Sequence, residues 1–325
     1  MKRIILILLV MSWGLQSQAC DICGCRLGGV YFGILPMYNT HFFGLRYSQA
    51  SFNAAIDYRN NQYFEDEFSE DTYRRIDIMG RYSISKRLQV NFIVPYLMND
   101  MNGSHQSVQS AGVGDPMVLL YYNLFNTGDK GSSLWQHSLS VGGGVKLPLG
   151  EYQKQDAGQI INRNFQIGSG SLDYLLSMNY TLRYQKFGIN AEASYKLNSK
   201  NSEGYRFGNQ SNASTYLFYW ITTPQVAILP LAGVYYEQAE KHLDGKIEQF
   251  NTGGSAMFGT VGVQLFRKNL NLNVLYQVPW MQNFNTESTV SISANNRFTV
   301  GLMYNFSFKK KKQKPKDKIK KQRWQ

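Results

Sequence analysis

Arg297 to Phe308 reads RFTVGLMYNFSF. Phe298, Val300, Leu302, Tyr304, Phe306 and Phe308 fall on one face of an extended chain, and Arg297, Thr299, Gly301, Met303, Asn305 and Ser307 on the other. This is strict alternation with a period of two, the pattern of a strand whose two faces meet different surroundings. The pattern returns along the whole chain, which also opens with an export signal. Apolar faces turned to lipid and polar faces turned to a lumen are what an outer-membrane β-barrel requires.

The opening MKRIILILLVMSWGLQSQA places Lys2 and Arg3 before the apolar run Ile4 to Met11, with Ser17 and Ala19 as small residues before a cut. Residues 1–19 are therefore expected to be a signal peptide. Their apolar run falls far short of the ~20 residues a membrane helix needs. No other stretch has the length and apolarity to cross as a helix, so any crossing must be made by strands closed into a barrel. A mean hydropathy of −0.34 fits that expectation, since half of each strand faces a polar interior. Aromatic residues make up 14% of the chain, with 22 Tyr and 19 Phe, an excess suited to interfacial girdles.

The net charge of +12 is concentrated at the ends. The tail Lys309 to Gln325 carries +9 and the signal segment +2, which leaves +1 over the barrel-sized remainder. There is no basic face for nucleic acid. The tail is too charged to fold alone, and its expected contacts are anionic polymers, lipid headgroups or an acidic periplasmic protein.

Twelve strand-like segments are expected near 42–58, 72–84, 87–97, 113–125, 136–148, 170–184, 187–198, 213–222, 225–238, 254–267, 270–281 and 295–308. Ten or fourteen strands would keep the same even parity. Tight turns at Ser85–Lys86, Gln185–Lys186, Thr223–Pro224 and Lys268–Asn269 alternate with longer polar loops near 59–71, 98–112, 149–169, 199–212, 239–253 and 282–294. Bacterial barrels alternate short periplasmic turns with long outer loops in this way. Pro95, Pro116, Gly142 to Gly144, Pro230 and Pro279 interrupt several segments and are expected at bulges or near the rims.

Strand parity places Asp77, Arg81, Gln89, Asn91, Lys146, Asp173, Asn179, Arg183, Asn190, Glu192, Lys196, Asn271, Asn273, Gln277 and Arg297 toward the lumen. Both signs of charge occur among them. They suit either a polar pore that selects solutes or a salt-bridge network that fills a narrow barrel. The acids Glu65, Asp66, Glu67, Glu70 and Asp71 read as a solvated loop, or as a field that draws cations to the mouth.

The three cysteines, Cys20, Cys23 and Cys25, lie in CDICGC within a short periplasmic segment, 20–41. At this spacing three thiols can converge on a soft cation such as Cu(I) or Zn(II). Lipidation of Cys20 and a Cys23–Cys25 disulfide are the competing readings. His105 with Met98 and Met101 forms a weaker metal-like grouping, and His137 and His242 stand alone. No Ser/His/Asp grouping, phosphate loop, dinucleotide fingerprint or paired-carboxylate motif stands out, so an enzyme is not expected.

Gly112-Val113-Gly114-Asp115-Pro116 opens one segment, Gly144-Val145-Lys146-Leu147-Pro148-Leu149-Gly150 closes another, and Gln166-Ile167-Gly168-Ser169-Gly170-Ser171-Leu172-Asp173 precedes a third. Together they resemble the outer-membrane transporter family named for the meta-pathway of phenol degradation, over roughly the middle third of the chain. That family shares a GxGD strand start, a KLPTG-like segment and a GxGSxD segment; here Leu149 stands in place of the usual Thr. CDICGC followed by FGILPMYNTHFFGLRY looks like a branch of such barrels in Bacteroidota-type bacteria. The resemblance implies a barrel that passes small molecules, with the glycines, Asp115 and Asp173 shaping strand ends.

The expected fold is all-β: a single closed antiparallel transmembrane barrel over 42–308, followed by the disordered tail 309–325. The expected function is an outer-membrane channel for small molecules or ions, linked to copper or zinc through the cysteines. The alternative is a non-conducting barrel that serves as a metal-binding or partner-docking scaffold. Outer-membrane lipid is the expected surrounding.

Overall fold

The structure is a computed structural model that describes residues 33–34, 40–58, 66–127, 134–156 and 158–308. Twelve long strands form the wall. They are β1 His41–Ile56, β2 Glu67–Ser83, β3 Leu88–Gly103, β4 Met117–Asn126, β5 Trp135–Lys146 and β6 Asp173–Tyr184. The second half comprises β7 Phe187–Leu197, β8 Gln210–Tyr219, β9 Ala227–Ala239, β10 Gly254–Arg267, β11 Leu270–Phe284 and β12 Arg297–Phe306. Each pairs antiparallel with its sequence neighbours, and β12 returns to pair with β1 from His41↔Phe306 to Gln49↔Phe298. The ring is closed, and no helix among the described residues is long and apolar enough to cross a membrane.

Alternation fixes which face is which. In β12, Arg297, Gly301 and Met303 are buried, whereas Phe298, Leu302 and Tyr304 are exposed. Phe43, Tyr82, Tyr122, Trp135, Tyr184, Phe187 and Tyr304 are all exposed at the short-turn end and form one aromatic girdle. Tyr174 and Tyr184, both exposed, bracket the outer face of β6. Ten residues apart, they are separated by ~34 Å along the strand and by ~26 Å vertically at a ~40° tilt. That matches the height of a hydrocarbon layer, so the protein is an outer-membrane barrel.

The short turns are built as hairpin geometry demands. Gln185 and Lys268 have φ of 51° and 53°, and each begins a two-residue connection of the class that needs positive φ.

Three expectations are corrected. The segment 98–112 is not a loop: β3 continues to Gly103, and Ser107–Val113 returns beside it as a rim strand. The inward alternation simply runs on through Asn99 and Met101, both buried. The rim strand breaks at Gly114-Asp115-Pro116 before β4 begins, because Pro116 has no N–H for the ladder. Within 282–294, β11 extends to Phe284 and Val290–Ala294 pairs with the outer end of β1. Gly142 and Gly144 mark no bulge. They clear space inside the barrel, since a Cβ at Gly142 would lie 2.7 Å from the Tyr121 ring and one at Gly144 2.2 Å from the Val118 carbonyl. Pro279 does sit beside a register irregularity, between Met257 and Phe258 of the partner strand.

Candidate transport lumen

The lumen is layered by what the strands bring inward. At the inner end, where the short turns lie, Phe42, Met79, Ile93, Leu119 and Met303 form one apolar cluster, and Phe218, Leu229, Leu231 and Leu275 form another. Ile34, from the segment preceding β1, is buried in the second cluster, and Gly33 lies against Gln264 and Met303. Gly33 and Ile34 thus lie inside the barrel at this end. Arg81 donates from Nε to Asn91 at 3.2 Å, with its guanidinium over the Phe42 ring. Arg183 donates to Gln136 and lies over Trp220.

A polar belt follows. Asp77 is fully buried; its Oδ2 accepts from Arg46 Nε at 2.9 Å and Nη2 at 2.6 Å, while Arg75 holds the other oxygen. Two cavities lie at this level. One, of ≈110 Å³, is bounded on one side by Pro95, Leu97, Met117 and Ile167, and on the other by Lys196 and Gln210. The second, of ≈70 Å³, is lined by Arg46, Glu192, Gln277 and Arg297 among others. Ser194 and Asn212 line both, so the two spaces adjoin.

Above the second cavity a strut bridges one sector of the inner wall. Arg297 of β12 donates from Nη1 and Nη2 to the two carboxylate oxygens of Glu237 on β9, at 2.8 and 2.6 Å. Between those strands stand β10 and β11, and Phe258 of β10 lies under the guanidinium at 3.9 Å. The pair is 2% and 4% exposed, and the two-point geometry fixes it more firmly than a single contact would.

The outer end is closed by an aromatic cluster that contains Phe52, Tyr73, Met101, Phe258 and Phe284. Ile161 and Phe165 join it from the β5–β6 connection, which folds inward. Phe165 is 0% exposed and its ring stacks on Tyr73 with centroids 5.3 Å apart. It ends a single 3₁₀ turn, Arg163–Phe165, capped by Asn162, whose side chain accepts from the Asn164 N–H at 2.9 Å. Asn99 and Ser110 donate to the Phe165 carbonyl.

The glycine-rich segments meet where that connection leaves and re-enters the wall. Asp115 accepts from Lys146 Nζ, Gly150 N, Ser169 N and Ser169 Oγ, all at 2.9 Å. Lys146 also contacts Asp173 at 2.6 Å, and Asp173 accepts from Ser171 Oγ and Ser199 N. Gly150 and Gly168 touch through their backbones: a Cβ at Gly168 would lie 2.2 Å from the Gly150 carbonyl oxygen. Three segments far apart in sequence thus form one buried clasp around one lysine.

Of the residues assigned to the lumen from sequence, the structure groups Lys146 with Asp173, and Glu192 with Arg297 beside one cavity. Gln89, Asn91, Asn190, Asn271 and Asn273 are buried, and Asn179 lies within hydrogen-bonding reach of Asn190. Arg46, Arg75, Glu237 and Phe165 were not anticipated. Glu237 shares its inward face with Leu229 and Leu231, which blurs the polar parity, and Phe165 lies in a segment with no periodicity to read. Asp71, expected in a solvated loop, is fully buried on β2.

Cys20, Cys23 and Cys25 lie outside the described residues. Among the described residues no three His, Cys, Asp or Glu side chains converge as for a metal. Met98 and Met101, three apart on a strand, face opposite sides, so they do not join His105 in one grouping. His137 bonds Tyr180 and His242 bonds Tyr205, at 2.9 and 2.8 Å.

The profile of a family described as the putative MetA-pathway of phenol degradation matches residues 64–294. No match is found among curated proteins. Among solved structures, an outer membrane channel from Pseudomonas putida F1 shares 14% identity, covers 86% of this chain and 99% of its own, and superposes with a TM-score of 0.59. The beta domain of the Bordetella autotransporter BrkA shares 11%, with coverages of 82% and 100% and a TM-score of 0.47. A Pseudomonas aeruginosa FadL homologue shares 10%, with 83% and 91% covered and a TM-score of 0.42. At these identities the likeness to the Pseudomonas putida channel is one of fold.

Proposed function

From the premise that this chain belongs to the family described as the putative MetA-pathway of phenol degradation, we propose that it is an outer-membrane channel for small, largely uncharged solutes rather than an enzyme. The observation that supports this best is the pair of adjoining cavities at mid-height, each with polar and apolar lining, between two apolar ends. A solute held there exchanges water for mixed contacts, and part of the charge at this level is already engaged in the Arg46–Asp77 and Arg297–Glu237 pairs. Narrowness favours one small molecule at a time.

Planar-bilayer recording of the refolded mature protein tests the reading. Stepwise currents support an open path. Silence from a heat-modifiable, properly folded barrel removes it and favours the scaffold alternative, to which the Arg297–Glu237 strut lends some support by occupying part of the lumen.

A soft-metal role for Cys20, Cys23 and Cys25 rests on their spacing alone. It predicts one Cu(I) bound per chain, lost when all three become Ser, as read by competition with a chelating dye.

A further inference from the structure

We propose that Phe165 is a built-in surrogate ligand, a gate residue that occupies a ring-binding site at the outer end of the lumen and must be displaced by a solute of matching chemistry. The inference rests on the channel reading above and names the kind of solute that the outer site accepts.

The β5–β6 connection is fixed at its root and only docked at its tip. At the root, Lys146 sits between Asp115 and Asp173, and Gly150 meets Gly168 backbone to backbone. The tip is held by packing and neutral hydrogen bonds in place of a buried charge cluster: Phe165 and Ile161 lie in the outer aromatic cluster, and Gln166 bonds Lys154 and Ile161 within the connection. Phe165 stacks on Tyr73, its carbonyl accepts from Asn99 and Ser110, and Arg163 pairs with Glu203 and lies over Tyr205 in the next loop. Ile167, between tip and root, and Ser169, at the root, line the larger of the two cavities, so the connection roofs it. Lifting the tip about the clasp opens that cavity outward without disturbing a wall strand.

The vacated site has a defined chemistry. One face is the Tyr73 ring, with Phe52 edge-on to it at 5.9 Å. Two donors, Asn99 Nδ2 and Ser110 Oγ, point to where the Phe165 carbonyl was. A flat ring satisfies the first feature, because aromatic pairs gain from facing geometry beyond area alone. An acceptor oxygen satisfies the second, since buried donors left unpaired are costly. In Phe165 the ring and the carbonyl carbon are joined through two carbons, Cβ and Cα. The solute class is therefore an uncharged arylalkyl carbonyl compound or a close equivalent. The tethered Phe165 competes at an effective concentration on the order of millimolar, so solutes act in that range.

Benzylacetone reproduces the ring, the two-carbon spacer and the carbonyl; 4-cyclohexyl-2-butanone has the same reach without a flat ring. Each is added at millimolar concentration to the full mature protein in a planar bilayer, with an unrelated porin in the same membrane as a control for lipid effects. In the wild type, benzylacetone is expected to raise the conductance several-fold. In Phe165→Ala the basal conductance is already raised, and benzylacetone lowers it by occupying the open site. The saturated ketone does neither. Heat-modifiable mobility shows that each variant is folded. Phe165→Leu, which fills the site without a ring, is expected to open at a several-fold lower benzylacetone concentration than the wild type.

A response of the same sign in the wild type and Phe165→Ala, or equal responses to the two ketones, overturns the gate. Currents in Phe165→Ala that benzylacetone leaves unchanged overturn the gate but leave the channel standing. An absence of current in every folded variant overturns both.

Discussion

The two ends of the β5–β6 connection are held by opposite kinds of contact. The root is electrostatic: one lysine between two carboxylates, all nearly inaccessible, with four hydrogen bonds on Asp115 alone. The tip is held mainly by packing: Phe165 stacks on Tyr73, Ile161 lies beside it in the same cluster, the Phe165 carbonyl accepts from Asn99 and Ser110, and Arg163 forms a partly exposed ion pair with Glu203. A buried charge cluster tolerates no partial loss, because each remaining charge is stranded when its partner goes. A stacked ring is exchangeable, since another ring makes the same contact. The molecule thus separates what must stay fixed from what can be replaced.

Four variants probe that contrast. Lys146→Met is expected to have the largest effect. It leaves Asp115 and Asp173 facing each other without a cation, which costs about 3–5 kcal/mol. Refolding yield, read as the fast-migrating band on unheated gels, should fall sharply; a normal yield would show that the clasp is not what fixes the root. Gly168→Ala comes next. A methyl 2.2 Å from the Gly150 carbonyl forces the two segments apart, at a cost of about 1–3 kcal/mol by the usual penalty for overpacking. The temperature at which the fast band disappears should drop, and an unchanged temperature would mean that the contact yields freely.

Phe165→Ala should move that temperature little, by less than about 1 kcal/mol: Phe165 is buried in the outer cluster, but a connection and not a wall strand carries it, so the tip can lift and leave a water-filled site in place of an empty cavity. If this variant destabilises the barrel as much as Lys146→Met does, tip and root are one structural unit and the contrast collapses. Arg74→Ala is expected to do least. Arg74 and Asp100 pair on the outer face with side chains 40% and 26% exposed, and such pairs contribute roughly 0–1 kcal/mol. A clear loss there would mean that surface pairs matter in this barrel as much as the clasp.

The wall was legible from sequence because the two faces of each strand meet different solvents, and nothing else in the chain has to agree for that pattern to form. Phe187 to Leu197 and Arg297 to Phe306 read as they stand. Where the outward face carries polar residues, the inward alternation continues but its apolar partner face is lost. The outer ends of β2 and β3 continue beyond the lipid layer, so Asp71 and Met101 passed for loop residues although both are buried. The clasp was half legible. The Gly- and Asp-containing segments read correctly as shaping strand ends, but that Asp115, Lys146 and Asp173 share one site follows only from the register Met117↔Lys146 and Lys146↔Asp173. Phe165 carries no periodic signal, because its position depends on a turn three residues long and on partners some 55 to 92 positions away.

The seam between β1 and β12 bears on how the barrel is made. Every other pair of neighbouring strands is joined by a local connection, whereas this pair joins segments about 250 positions apart. The outer end of β1 waits for the same distant region, since Phe52 to Ile56 pair with Val290 to Ala294. Contacts of such separation form late, because the chain entropy lost in closing them is repaid only at the end. Until then an eleven-strand sheet has two unpaired edges, a form prone to join its own copies. Assembly of this barrel therefore has its most vulnerable moment just before completion, and the short alternating run that reveals the fold in the sequence is also the strand that ends that exposure.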